Sequence, residues 1–590
     1  MNGAFESKEH HMSEKILVCV AWPYANGRVH LGHIAGAYLP PDIFARYHRL
    51  IGNDVLHVTG SDTHGTPITI RAQEEGISPA EVVERYHTDQ VEAFRRLGIS
   101  FDLYTHTDTE NHWAVTTDMF LTLLEHGYIY RDTQRGLYCP QDEMWLPDRY
   151  VVGICPHCGA EGARGDQCDT CGRTIDAVEL IQPRCQICGT VPEIRETEHF
   201  FLDLGKANGP LLEWMSEGKG EWRPNVYNFT MQVLESGELR GRPITRDISW
   251  GIPVPVEGFE NKRIYVWFDA VIGYLAASVE WAKLVGTPEA WRDWWQDEDV
   301  RSYYFIGKDN ITFHTIIWPA MLYGYGGLNL PYDVPANEYL NVEGRKLSKS
   351  QHWVIEALDY LERYDPDPLR YYLTINAPEA KDVNFTWEDF VRRNNDELVA
   401  TWGNLANRML SFAYKRFGQV PEPGPLDETD RALLDRVAGA FDTVGDLIAA
   451  CKFKAALGEV MAVAHEANRY LDEKAPWFQI REDRQAAATT VYVILRVIDS
   501  LKTLLTPFLP FTCQALHGYL GYEGSIIGRI DIETLEEETR SHLAIRYDDS
   551  ELEGTWAPSQ LPAGQTLREP APLFKKLDES VVEEEYERLG

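Results

Sequence analysis

The chain has 590 residues, 44% hydrophobic and 25% charged, enough for several domains, each with a buried core. A formal net charge of −35 and a pI near 4.9 exclude a general nucleic-acid coat protein, so any RNA contact must use a local basic surface. No run approaches the roughly 18 apolar residues of a membrane-spanning helix, and the polar start lacks the apolar core of a secretory signal.

Residues 1–14 read as a disordered extension, with Met12 as an alternative start. Residues 16–21 form a continuous apolar run, the pattern of a parallel strand buried on both faces. After the loop Trp22-Pro23-Tyr24-Ala25-Asn26-Gly27 comes His30-Leu31-Gly32-His33, where a helical pattern begins. Imidazoles at i and i+3 share one helix face, Gly32 lets a nucleotide approach the backbone, and a helix N-terminus favours phosphate. Taken alone, such a pair is more often two core or capping histidines. Residues 54–59 repeat the strand pattern and end in the polar loop Gly60-Ser61-Asp62-Thr63-His64-Gly65; residues 264–268, 303–306 and 339–342 repeat it again. Strands alternating with helices predict a doubly wound parallel α/β domain with its site at the carboxyl ends of the strands. The expected division is 15–134 for its first half, 135–200 for an insertion, and 201–330 for a connective segment and the second half.

Ten cysteines are present, and seven of them lie between Cys139 and Cys188. A disulfide framework would not cluster this way in so long a chain, whereas a metal site in a reducing compartment would. Cys155-x2-Cys158-x9-Cys168-x2-Cys171 predicts zinc held tetrahedrally by four thiolates. With no open position, that metal is structural. Cys185 and Cys188 form another corner, and Cys139 with Asp142 offers the matching spacing upstream; Asp142, His157 or a water completes a second site.

Further on, Lys346-Leu347-Ser348-Lys349-Ser350 follows a strand and Gly344. Two lysines three apart on a polar loop can neutralise a polyphosphate, although most such runs are solvated surface. This loop falls in the segment 331–395, which the resemblance described below implies is a stem-contact region. Apolar residues then recur at helical spacing through 396–415, 430–470 and 485–521, which predicts an all-α domain over 396–540. In it Asn404 and Arg408 share a helix face, and Trp477 follows Glu473-Lys474-Ala475-Pro476. A surface Asn, a surface Arg and a core Trp are the plain interpretation. An acidic tail, 541–590, ends in a short helical pattern.

Together and in this order, the histidine and lysine motifs resemble the two signatures of class I aminoacyl-tRNA synthetases, known as HIGH and KMSKS, with Leu347 in place of Met. Within that class the chain resembles the methionyl-tRNA synthetases from about residue 15 to its end. The resemblance is carried by Ala21-Trp22-Pro23-Tyr24-Ala25-Asn26-Gly27, by Val266-Trp267-Phe268-Asp269-Ala270-Val271-Ile272-Gly273-Tyr274, and by Phe305-Ile306-Gly307-Lys308-Asp309-Asn310 with Phe313-His314. Trp22, Val271 and Asn310 depart from the residues that other members often carry.

The resemblance implies a Rossmann-like catalytic domain with a zinc-knuckle insertion, followed by a helical anticodon-binding bundle. It implies that His30, His33, Lys346 and Lys349 are catalytic, and that they bind ATP with Mg²⁺ alongside Gly32, Gly307, Asp309 and Ser348. Methionine would meet Ala21, Trp22, Tyr24, Asp62, Trp267, Ala270, Tyr274, Asn310 and His314, with Asp62 on its ammonium. Asn404, Arg408 and Trp477 would read the anticodon of tRNA(Met), and two-knuckle members bind the second metal. The activity implied is methionine activation by ATP followed by transfer to tRNA, in a cytoplasmic monomer. Two competitors remain at this stage. A cysteinyl enzyme would need an open zinc position, and a catalytically dead RNA-binding relative would lack the signature histidines or lysine.

Overall fold

The computed structural model describes residues 13–589, apart from 166, 167, 169, 172, 174 and 348–352. The lysine-loop residues Ser348, Lys349 and Ser350 therefore lie outside the described residues, as do the first twelve of the N-terminal extension.

The α/β part is built on a sheet of seven strands: β1 Lys15–Val20, β2 Asp54–Ser61, β3 Leu103–His106, β4 Arg301–Gly307, β5 Ala336–Asn337, β6 Arg529–Glu536 and β7 Ser541–Asp548. Their order is β5-β4-β1-β2-β3-β7-β6. The first four pairings are parallel and the last two antiparallel. β1 is buried on both faces, which explains its unbroken apolar run. The chain winds from β1 through β2 to β3, then crosses back to place β4 on the other side of β1. The crevice beyond the carboxyl ends of β1 and β4 is therefore the switch point, where ligands bind in sheets of this kind.

Three expectations need correction. Residues 264–268 are not a strand of this sheet: Arg263–Ile264 makes a two-residue pairing with Thr245–Arg246, and Val266 already begins the helix Val266–Leu284. The run is apolar because that helix is buried nearly all round. Residues 339–342 supply Leu340–Val342, which pairs with Val383–Phe385 instead of with β5 or β4. The boundary drawn between 540 and 541 falls in the turn of the β6–β7 hairpin, and both of its strands join the catalytic sheet beside β3. That pairing joins segments over 400 residues apart, so no local pattern announces it.

The insertion stands on a long antiparallel stalk, Ile129–Cys139 against Glu193–Leu202, and carries a small three-stranded sheet at its tip. The C-terminal half is helical as predicted, with long helices Asn404–Phe417, Glu428–Ala449, Phe453–Lys474 and Arg484–Leu505. One continuous apolar core runs from Ile16, Val18 and Phe305 of the sheet to Leu457, Ile494 and Ile498 of these helices. At this junction lies a buried charge cluster. Asp42 receives Arg46 at 3.0 Å and Arg370 at 2.7 Å, while the Arg370 guanidinium also donates to the carbonyls of Leu97, Pro507 and Phe508. One arginine thus ties the helices Leu39–Leu50 and Pro79–Leu97, its own helix Pro366–Ile375 and the helical bundle together. Among the described residues, no helix is long and apolar enough to cross a membrane.

Candidate active site

A cavity of about 400 Å³ opens at the switch point. Every described residue expected to hold ATP or methionine lines it: His30, Gly32, His33, Gly307, Asp309 and Lys346 on one side, and Ala21, Trp22, Tyr24, Asp62, Trp267, Ala270, Tyr274, Asn310 and His314 on the other.

The histidine side is built by the turn after β1. His30 caps the short helix Leu31–His33, and the two imidazoles stack with centroids 3.7 Å apart. The backbone N–H of His30 donates to His33 Nδ1 at 3.2 Å. In a neutral His33 the proton must then sit on Nε2, leaving that atom as a donor. Immediately after, Ile34–Tyr38 widens into a π-helical turn, a local irregularity common at functional sites and invisible to periodicity. Gly32 leaves room for its neighbours: a Cβ there would lie 2.5 Å from the Leu347 side chain and 3.1 Å from the His30 ring. The two signatures therefore touch, Leu347 resting on Gly32. The exposed Lys346 ammonium lies 5.0 Å from the Tyr339 ring, and Lys308 lies 4.0 Å from the same ring. Tyr339 Oη donates to Asp309. Tyr339 and Glu338 line the cavity and were missed; the only signal was their place just before the Leu340–Val342 strand.

The opposite side is an aromatic slot. Trp267 stacks on Phe313 at 4.3 Å and meets Tyr24 edge-on at 6.3 Å. Tyr274 and His314 close the end, 2.7 Å apart. Burial lowers His314 to about 4, so its imidazole is neutral. His314 Nδ1 faces the Asn310 carbonyl at 2.9 Å and must donate; Nε2 therefore accepts from the Tyr274 hydroxyl. The polar groups at the end of the slot satisfy one another, which suits an apolar, polarisable ligand. Trp22, one of the departures, fits because neighbouring glycines make room. A Cβ on Gly60 or Gly273 would come within 2.4 or 2.6 Å of its indole ring.

Asp62 sits at the junction of the two sides, 4% exposed. Its backbone pairs with the loop after β1, Asp62 N–H donating to the Pro23 carbonyl and Ala25 N–H to the Asp62 carbonyl. Burial, then the neighbouring Asp269, push its carboxyl well above the usual range. A cationic ligand group would restore its charge.

Two further clusters lie in the insertion. The sulfurs of Cys155, Cys158, Cys168 and Cys171 approach within 4.8 Å of one another, as do the ligand atoms of Cys139, Asp142, Cys185 and Cys188. Each group could hold a metal ion. Both knuckles turn alike: the N–H two residues after Cys155 and after Cys185 points at its sulfur at 3.4 Å, and Gly159 and Gly189 take φ +74. Asp142 Oδ2, not His157, stands with the second group, 3.2 Å from Cys139 Sγ and 3.1 Å from Cys185 Sγ. In the helical domain the Arg408 guanidinium covers the half-buried Trp477 ring at 4.6 Å, and Asn404 is exposed one turn earlier.

A parallel sheet with its cavity at the switch point, paired imidazoles at the first turn, and Lys346 and Leu347 in the same cavity define a class I aminoacyl-tRNA synthetase. The chain matches the family described as tRNA synthetases class I (M) over residues 16–410, and the anticodon binding domain of methionyl tRNA ligase over residues 420–535. The methionine--tRNA ligase of Thermomicrobium roseum is 58% identical over 582 residues, 98% of this chain and 99% of its own. That of Roseiflexus castenholzii is 54% identical over 587 residues, again 98% and 99%. The solved structure of Mycobacterium tuberculosis methionyl-tRNA synthetase in complex with methionyl-adenylate aligns with a TM-score of 0.75 at 25% identity, covering 95% of this chain and all of that one. The chain belongs to the methionyl-tRNA synthetase family.

Proposed function

We propose that the enzyme activates L-methionine with ATP and esterifies it to the 3′-terminal adenosine of tRNA(Met), with the cavity residues dividing the work as follows. The supporting observation is convergence: four chain segments, around residues 21–38, 62, 267–274 and 307–347, meet in a single cavity. One side of it is suited to phosphate and the other to a thioether.

The methionine side chain enters the aromatic slot and its ammonium meets Asp62. A carboxylate oxygen attacks the α-phosphorus of ATP in line, and pyrophosphate leaves. No protein nucleophile is needed, so catalysis is positioning and charge stabilisation. His33 Nε2, with His30 stacked beside it, donates to the phosphate oxygens. Lys346, with Lys349 on the same loop, follows the charge onto pyrophosphate, and Ser348 and Gly307 approach the nucleotide. Asp309 takes the ribose, exchanging its Tyr339 partner for a sugar hydroxyl. Mg²⁺ accompanies ATP and shields its phosphates. The terminal adenosine hydroxyl then attacks the methionyl carbonyl, and AMP leaves.

Asn404, Arg408 and Trp477 read the anticodon: an aromatic stacks an unstacked base and the polar pair bonds its edge. Both cysteine clusters hold structural zinc. Tetrahedral zinc–thiolate bonds of about 2.3 Å set sulfurs about 3.8 Å apart. Here Cys155 and Cys171 are 3.9 Å apart, Cys158 and Cys168 3.7 Å, and Cys139 and Cys188 3.5 Å. Thiolate sites of this kind suit a reducing cytoplasm. The catalytic cavity and the anticodon face lie within a single chain on a shared core, in keeping with a working monomer.

The test is aminoacylation. Purified protein with ATP, Mg²⁺ and methionine should charge a tRNA(Met) transcript and leave a tRNA(Cys) transcript uncharged; charging neither, or tRNA(Cys) alone, would refute the reading.

A further inference from the structure

Behind Asp62 lies a chain of charged groups to which the reaction described above gives no part. The His64 N–H donates to Asp62 Oδ1 at 3.3 Å. The His64 imidazole, 1% exposed, faces Asp269 Oδ2 through Nδ1 at 2.6 Å and pairs with Asp108 through Nε2 at 3.8 Å. Asp269, fully buried on the helix Val266–Leu284, is also held by His112 Nε2. Asp108 in turn receives Arg540, at 2.7 Å to its carboxylate and 3.0 Å to its carbonyl, and Arg540 belongs to the turn of the C-terminal hairpin. The Trp113 and Trp250 rings flank His64, and the Arg540 guanidinium covers Trp113.

Two buried carboxylates beside a cation-binding site pose an electrostatic problem. Asp269 opposes ionisation of Asp62, and a protonated Asp62 has no charge with which to hold an ammonium. A cation beside them lessens the conflict. We propose that His64 is a positioning residue of the amino-acid site. Wedged between Asp269 and Asp108, it offsets part of the charge of Asp269, so that Asp62 ionises more readily when the substrate ammonium arrives, and Arg540 anchors the outer end of the chain. The inference rests on the reading of Asp62 as the ammonium-binding group.

The local electrostatics agree. Burial opposes protonation of His64, but Asp269 and Asp108 outweigh it and push it up to about 10. Burial likewise opposes ionisation of Asp269, and His64 and His112 outweigh it and hold Asp269 below the usual carboxylate range. His106, on β3, is driven well below the ordinary histidine value by burial and then by His87, His542, His64 and His112. It faces the chain as a neutral group. His64 is thus the cation nearest Asp62 among the groups facing it from the loop after β2, β3, the segment before Glu110, the helix Val266–Leu284 and the hairpin.

The sign follows. Loss of His64 leaves Asp269 with His112 as its partner and with more of its charge facing Asp62, so Asp62 takes up a proton at higher pH and methionine binding weakens on acidification. Loss of the Asp269 charge acts in the opposite direction, and loss of both returns the balance.

The experiment is methionine-dependent pyrophosphate exchange across about pH 6 to 8.5 with His64→Asn, Asp269→Asn and the double variant. His64→Asn should raise the methionine KM about tenfold or more at the acidic end, by less at the alkaline end, with kcat nearly unchanged. Asp269→Asn should move the acidic limb down, and the double variant should restore the wild-type profile. Inhibition by the analogue that lacks the amino group should be insensitive to all three. A KM rise independent of pH and shared by that analogue would mean His64 is only structural and would overturn the proposal, as would an unchanged profile. Should His64→Asn not fold, Arg540→Gln tests the outer end, its side chain being 32% exposed. A smaller shift in the same direction supports the proposal and no shift overturns it. Asp62→Asn separates the two levels. If it leaves the methionine KM unchanged, the reading of Asp62 itself fails. If it raises KM while the other variants do not, only the role of His64 fails.

Discussion

At the scale of single residues, the site was legible wherever chemistry dictates residue type. Paired histidines, a following lysine motif and aromatics beside them stood out through their resemblance to known signatures, and the fold gathers those that are described, from His30 to Lys346, at one cavity. Tyr339 and Glu338 were not legible, because an aromatic and an acid at a strand start are ordinary until Asp309 and the lysines are seen around them. Nor was the contact between signatures, which makes Gly32 testable. Gly32→Ala sets a methyl group 2.5 Å from the tip of Leu347, a flexible side chain that can swing aside. Displacing Leu347 should unsettle Lys346 beside it. Adenylate formation in stopped flow should slow about tenfold or more, some 1.4 kcal/mol of barrier. The melting temperature should stay within a few degrees, since Ala also favours the helix by about 1 kcal/mol. A normal rate would show that the contact does not set the loop.

Elements were legible where periodicity is strong, as in the long helices and the buried strands. They were not where tertiary structure decides. The π-helical turns Ile34–Tyr38 and Phe313–Ile317 depend on what packs against them, and β6–β7 found its partner across the whole chain. Two elements carry predictions. Asp142 completes the second knuckle pair, so elemental analysis should find about two zinc ions per chain in the wild type and about one in Asp142→Ala, with the four-thiolate site intact. Zinc at the wild-type level in that variant would remove Asp142 from the ligand set. In the helical domain, Trp477 is half-buried beneath Arg408. Loss of a stacked base costs roughly 1–3 kcal/mol, so Trp477→Ala should lower the tRNA specificity constant about tenfold or more and spare pyrophosphate exchange, which needs no tRNA. If exchange, charging and melting temperature fell together, Trp477 would be a core residue only.

For the whole molecule, the sequence suggested separate catalytic and helical domains, and the structure joins them through one core and the Asp42 cluster. Composition shows where the helices begin and says nothing of how the two halves meet. Burial alone would raise the Asp42 carboxyl; Arg46, Arg370 and Ser100 outweigh it and hold it well below the usual range. A depressed carboxylate contributes stability that is fully present above its unfolded value, about pH 4, and is lost as pH falls through the folded value. Asp42→Asn leaves two buried arginines without their carboxylate and should cost about 3–5 kcal/mol at neutral pH. Both halves should then melt together at a lower temperature, and the difference from wild type should shrink only in strong acid. Independent melting of the two halves would show that the cluster does not couple them. The central claim, that this cavity selects methionine for activation, is tested most directly by pyrophosphate exchange with each of the twenty amino acids in turn. Methionine alone should support exchange well above background, with no tRNA present. Exchange driven by cysteine or another amino acid, or by none, would contradict it.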